Sequence, residues 1–144
     1  KCKRIIAAIH CGRKGLEKNI ISNTIKSLEI NRSSRKDILV AIGPSISGNN
    51  YLLDKKTFHN FFSANSGFLS KLNENINKYN DLNEEESIPL DLKKYAYLQL
   101  LMEDIDPNNI DISYKCTYSL PDEFHSWRRS KNDKRQWSVI SSSI

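Results

Sequence analysis

A single α/β domain is the fold the sequence predicts, and three observations carry that reading. An apolar run at residues 5–9 is followed by a helix-periodic segment and then by a second apolar run at residues 37–42. Strand, helix and strand in this order make a crossover unit, in which the two strands pair in parallel. Further along, Ile110, Ile112 and Tyr114 alternate with Asp111 and Ser113, the period-two pattern of a half-buried strand. With 144 residues, 38% of them apolar, the chain fits one domain with a two- or three-layer core.

The first run reads as a buried strand that ends in His10 and Cys11 and turns through Gly12 and Gly15, with Arg13 and Lys14 between them. That ending places an imidazole and a thiol at a sheet edge, under a loop whose backbone can approach a ligand closely. The plainer alternative for His10 is a hydrogen-bonded structural side chain. Leu16, Ile20, Ile21, Thr24, Ile25 and Leu28 recur at three- and four-residue intervals, which predicts a helix from just after Gly15 to near Asn31. Its free N–H groups face His10 and form a natural anion site. The second strand stops at Gly43-Pro44. A loop rich in Ser, Gly and Asn follows and carries Tyr51, placed where ligand contacts usually arise.

Asp54 caps a short helix with Phe58, Phe61 and Phe62 on one side, and Leu69, Leu72 and Ile76 mark another. These aromatics read as core rather than as a base-stacking platform. Residues 81–87 form an acidic, flexible loop within the domain. Asp91 caps a helix bearing Leu92, Tyr95, Leu98, Leu101, Met102 and Ile105, and Pro107-Asn108-Asn109 ends it. The alternating strand closes at Cys116-Thr117. Residues 128–135 hold five basic side chains and one acid. Arg128 and Arg129, beside Trp127 and His125, read either as an anion clamp or as part of a solvated hairpin that turns at Lys131-Asn132-Asp133 into a strand at 136–140.

The net charge of +5 favours anionic small ligands without requiring them. Three cysteines without repeated spacing argue against a disulfide scaffold and for a reducing, cytoplasmic setting. No apolar run approaches the length of a bilayer span. Absent too are His-Glu-x-x-His, Cys-x-x-Cys and a Gly-Lys-Ser/Thr phosphate loop. Nucleic-acid binding through the basic ends is disfavoured, because the positive excess is small.

The order of these segments resembles one family. AAIHCGRKG is similar to the His-Ala-Gly-Trp-Arg-Gly signature of the YfiH-like family, also called the laccase-domain or peptidoglycan editing factor family. AIGPSISGNNY resembles its Ala-Ile-Gly-Pro-x-Ile-x-x-x-x-Tyr segment, and LDL at 90–92 its Leu-Asp-Leu helix start. Cys116-Thr117 and EFHSWRRSKNDKRQWSVI resemble its Cys-Thr and its Phe-x-Ser-Tyr-Arg-Arg ending. The resemblance implies a mixed-sheet α/β sandwich, of which this chain supplies only the C-terminal part and lacks the N-terminal half.

It also implies a function. Members are associated with phosphorolysis of purine nucleosides and with adenosine deamination, around a zinc-type metal held by two histidines and a cysteine. An older description makes them copper-dependent polyphenol oxidases. Carried over by position, His10 is the metal ligand and, with Arg128 and Arg129, the catalytic group. Gly12, Lys14, Gly15 and Tyr51 are the substrate and phosphate contacts. The expected partners are a purine nucleoside and phosphate, with a homo-oligomer or the absent half completing the site, and no membrane.

Departures from the family pattern weigh against full activity. Arg13-Lys14 replaces Trp-Arg, Ala96 stands at a usual Asn, His125 at a Phe and Lys134 at a Gly. Cys11 is not the family's ligand cysteine, which belongs to a preceding Ala-Asp-Cys segment, and Cys2 sits too near the first run to replace it. With one ligand only, this chain is expected to hold zinc poorly. The alternative reading is a degenerate or truncated member acting as a non-enzymatic structural or interaction protein.

Overall fold

Two aspartates set the central helices. Asp54 Oδ1 accepts the Thr57 N–H at 2.7 Å and starts α3 (Lys55–Ala64). Asp91 Oδ1 accepts the N–H groups of Lys93 and Lys94, both at 3.1 Å, and starts α4 (Leu92–Met102). Each carboxylate satisfies donors that the first helical turn leaves unpaired. The computed structural model describes residues 5–31, 33–65 and 86–142. Ahead of these helices come α1 (Arg13–Glu17) and α2 (Ile20–Ile30). The strands are β1 (Val40–Ile42), β2 (Leu52–Leu53), β3 (Ile88–Pro89) and β4 (Ile110–Ile112), and α5 (Trp127–Ser130) closes the order.

One core joins them. Leu16 of α1, Ile21 and Ile25 of α2, Phe58, Phe61 and Phe62 of α3, and Leu92, Tyr95, Ala96 and Leu100 of α4 pack together with Ile88, Leu90 and Ile105. Phe61 meets Tyr95 edge-on at 5.0 Å between ring centres, and Phe58 lies 4.3 Å from Phe62. Such ring pairs add to the simple burial of apolar area. The predicted helices at Asp54 and Asp91 and the core role of the phenylalanines hold. The helix expected around Leu69, Leu72 and Ile76, and residues 81–85 of the acidic loop, lie outside the described residues; Glu86 and Ser87 are exposed.

Strand pairing differs from the sequence expectation. β1 pairs in parallel with β4, Val40 opposite Ile110 and Ile42 opposite Ile112. β2 pairs antiparallel with β3, Leu52 opposite Pro89. Residues 5–9 form no strand, and Ile6 and Ile9 are exposed. An apolar run specifies that a segment prefers burial but not which segment will hydrogen-bond to it, and β4 occupies β1 instead. The predicted strand at 136–140 is likewise absent, with Trp137 90% exposed. The helix after the first turn begins at Arg13, so Gly15 lies inside α1 rather than in a loop. It breaks at Asn19, which takes the left-handed conformation (φ 54°) before α2 starts. Asparagine tolerates that region better than most side chains.

Candidate functional site

The parallel pairing of β1 and β4 continues past both strands. The Ser113 N–H donates to the Ile42 carbonyl at 2.9 Å and the Thr117 N–H to that of Ser45 at 3.1 Å, with Ser45 bridged to Cys116. This brings the turn at Gly48–Asn50 against the segment after β4. Gly48 permits the approach to α4 on its other side: a Cβ there would lie 3.1 Å from Asp91 Cβ and 3.3 Å from its backbone.

A polar cluster results at Cys116, which is buried. The Ser47 N–H donates to Sγ at 3.3 Å and Asn50 Nδ2 at 3.5 Å. Asn50 Nδ2 also donates to Ser47 Oγ at 3.0 Å and Ser119 Oγ at 2.9 Å. Burial alone would push the thiol up, but hydrogen bonds from Ser47 and Ser119 together outweigh it and hold the thiol down at about 6. Cys11 is the opposite case. Packed against the core, its thiol is pushed up by burial to about 11. The sequence marked Cys116 as a strand end and as part of a Cys-Thr pair resembling the family's, without giving it a site role. The signal available was its position after an alternating strand, facing a Ser- and Asn-rich loop.

The residues assigned from the sequence fall into two groups. In the first, the His10 ring lies over Gly12, so that a Cβ on Gly12 would come within 2.9 Å of His10 Nε2. Gly15 lets the chain pass close to the His10 carbonyl, 3.2 Å from where its Cβ would be. His10 and Lys14 are both exposed. In the second group, the Arg128 guanidinium lies over the Tyr51 ring, 5.0 Å from its centre. Both groups border the same core, against which Cys11, next to His10, and Tyr51 pack.

Arg129 is turned elsewhere. Its two terminal nitrogens donate to the carbonyls of Thr117, Tyr118 and Phe124, all at 2.7 Å. It fastens the segment after Cys116 to the start of α5 and is a structural residue here. The hairpin reading of residues 128–135 fails as well: α5 ends at Lys131 in a left-handed conformation (φ 48°).

A cavity of about 360 Å³ opens between the turn at Gly48–Asn50 and the first turn of α4, lined by Ser47, Gly48, Phe58, Asp91, Lys94 and Tyr95. Its size is that of a small-molecule pocket. A metal centre is a poorer fit. A zinc or copper centre needs three or more converging ligands. Among the described residues no group of three His, Cys, Asp or Glu side chains is placed to hold a metal. His10 is the one assigned ligand, so these residues alone do not build such a centre.

Comparison with known proteins fits this fold. The family model described as multi-copper polyphenol oxidoreductase laccase matches residues 1–143. A purine nucleoside phosphorylase from Synechocystis sp. is 29% identical over 146 residues, covering 94% of this chain and 55% of that protein. One from Rickettsia conorii is 30% identical, covering 88% and 48%. The crystal structure of YlmD from Geobacillus stearothermophilus superposes with a TM-score of 0.64 at 26% identity, covering 83% of this chain and 42% of that one. The chain thus spans about half the length of the relatives it matches.

These findings correct the expectation of a C-terminal part lacking its N-terminal half. Family likeness extends over residues 1–143, and the fold is mixed α/β throughout the described residues.

Proposed function

The chain belongs to the multi-copper polyphenol oxidoreductase laccase family, and on that premise we propose that it acts on purine nucleosides by phosphorolysis. Inosine or adenosine and phosphate would give the free base and ribose 1-phosphate. A phosphate oxygen attacks C1′, the C1′–N9 bond breaks, its electron pair leaves with the purine, and a proton is delivered to the departing base.

The observation that carries the reading is the Arg128–Tyr51 pair. It offers a flat surface for a base and guanidinium N–H groups for a phosphate. Lys14, exposed on α1, would add a second cation, without the two-pronged geometry of arginine. His10, exposed over Gly12, is the group suited to move the proton. Among the described residues no helix is long and apolar enough to cross a membrane, and cytoplasmic residence belongs to the same proposal.

A second reading, a member that holds a nucleoside without turning it over, is favoured by the engagement of Arg129 with three carbonyls. One experiment separates the two. The protein is incubated with inosine or adenosine, with and without phosphate, and the products are resolved by chromatography. Phosphate-dependent release of hypoxanthine or adenine supports phosphorolysis, and inosine formed from adenosine would reveal deamination. Saturable nucleoside binding with no base released would leave the second reading, and neither binding nor release would sink both.

A further inference from the structure

Tyr51 and Arg128 belong to segments that are fastened separately. On the Tyr51 side, the turn at Gly48–Asn50 closes through the Asn50 N–H to the Ser47 carbonyl and the Tyr51 N–H to the Gly48 carbonyl, both at 3.1 Å. The Tyr51 carbonyl accepts the Leu90 N–H at 3.0 Å. On the Arg128 side, Arg129 fastens α5 to the carbonyls of Thr117, Tyr118 and Phe124. Among the described residues the Arg128 guanidinium makes no hydrogen bond or ion pair, and it rests on the Tyr51 ring.

Asn50, directly before Tyr51, crosses between the two segments. Its Nδ2 lies 3.0 Å from Ser47 Oγ on its own turn. On the segment after β4 it reaches Ser119 Oγ at 2.9 Å and Cys116 Sγ at 3.5 Å. Two protons serve these three acceptors, so one proton is shared. The lowered pKa of the Cys116 thiol favours the sulfur as an acceptor, which turns the donor end of the amide, and not its oxygen, toward the cluster. Ser119 in turn follows Tyr118, whose carbonyl Arg129 holds at 2.7 Å. Backbone bonds at Ser45 and Ser47 fix only the base of the loop. The residue before the ring is tied across by the Asn50 side chain.

We propose that Asn50 is a positioning residue for the Arg128–Tyr51 surface, holding the turn that carries Tyr51 against Ser119 so that the ring lies under the guanidinium. The inference rests on the reading of that surface as the place where base and phosphate bind. Asn50 acts through its donors alone. Asn50→Asp keeps the size of the side chain but turns an acceptor toward the sulfur, so it should fail as Asn50→Ala does. Across the junction a hydroxyl is all that is needed, and Ser119 is exposed, so Ser119→Thr should serve where Ser119→Ala does not.

The test is made on the whole chain and reads the ring first. By NMR, the Arg128 side-chain protons of the parent protein are expected upfield, shifted by the ring current of Tyr51, and Tyr51→Leu gives their position without the ring. Asn50→Ala, Asn50→Asp and Ser119→Ala should lose most of that shift, and Ser119→Thr should keep it. Asn50→Ala combined with Ser119→Ala should lose no more than either change alone. With inosine and phosphate, the three variants that lose the shift should raise KM about 2- to 10-fold and leave kcat nearly unchanged, the sign of a weakened binding surface. An upfield shift kept in Asn50→Ala and Asn50→Asp, with only the thermal midpoint lowered, would make Asn50 a stability residue and overturn the proposal. Fully additive losses in the double variant would overturn it too. A parent protein that releases no base, yet shows the shift and its loss in Asn50→Ala, would sink phosphorolysis while upholding the hold of Asn50 on the Arg128–Tyr51 surface.

Discussion

The guanidinium carbon of Arg128 lies 5.0 Å from the centre of the Tyr51 ring, which joins the loop after β1 to the first turn of α5. Neither segment makes this surface alone. If the pair receives substrate, Arg128→Ala should lower kcat/KM for inosine with phosphate by about 10- to 100-fold, the equivalent of one charged hydrogen bond of about 1.5–3 kcal/mol. Tyr51→Phe keeps the ring and should change it by less than about threefold. Steady-state kinetics at varied phosphate checks both, and an unchanged kcat/KM in Arg128→Ala would remove Arg128 from the site.

Arg129 should behave differently from its neighbour. Its three carbonyl contacts predict that Arg129→Ala loses about 2–3 kcal/mol of stability, through the bonds themselves and the acceptors left behind. Arg129→Lys should recover only part, because an ammonium cannot span the same three acceptors in one plane. Denaturant titration gives the answer, and a near-neutral Arg129→Ala would contradict the structural role.

Cys116 makes stability depend on pH. Its folded pKa, about 6, lies below the ordinary thiol value of 9.0, so the unfolded chain binds the extra proton between those values. The thiolate's contribution is therefore complete above about pH 9 and is lost as pH falls through about 6. The melting-temperature difference between the parent protein and Cys116→Ala should shift in the parent's favour as pH rises across that window. Thiolate absorbance should show a step with a midpoint near 6 that Cys116→Ala lacks. A midpoint at the ordinary thiol value would contradict the hydrogen-bonded cluster.

Two glycines should respond unequally to alanine. At Gly12 the new methyl meets the tip of His10, a side chain free to rotate, so Gly12→Ala should cost less than about 1 kcal/mol while displacing the imidazole. At Gly48 it meets the backbone and Cβ of Asp91, which caps α4 and cannot move alone. Gly48→Ala should cost about 1–3 kcal/mol, the usual penalty of overpacking. Paired unfolding curves, with histidine resonances followed in Gly12→Ala, read both effects.

Local chemistry was the part that could be read along the chain. The caps at Asp54 and Asp91 and the buried face of α3 each depend on residues within a few positions of one another, whereas α4 stops at Met102, short of the end expected at Pro107, because Asp104 turns left-handed (φ 57°). The run at residues 5–9 was misjudged because its composition is that of a strand while its hydrogen-bond partner is a matter of topology. Gln99 was readable in principle, as a polar side chain on the apolar stripe of α4, yet its partners Leu16 and Asn65 come from two other helices.

By itself the sequence determined the α/β class, the starts of α3 and α4, the apolar faces of the helices that make the core and the likeness to a family. Only the tertiary structure decided that β1 pairs with β4, that Arg128 meets Tyr51 while Arg129 turns to the backbone, and that hydrogen bonds from Ser47 and Ser119 reach the buried Cys116 thiol and lower its pKa. The reason is range. Capping and helical periodicity act over one or two turns, whereas strand pairing and the environment of a thiol depend on which distant segments fold against each other.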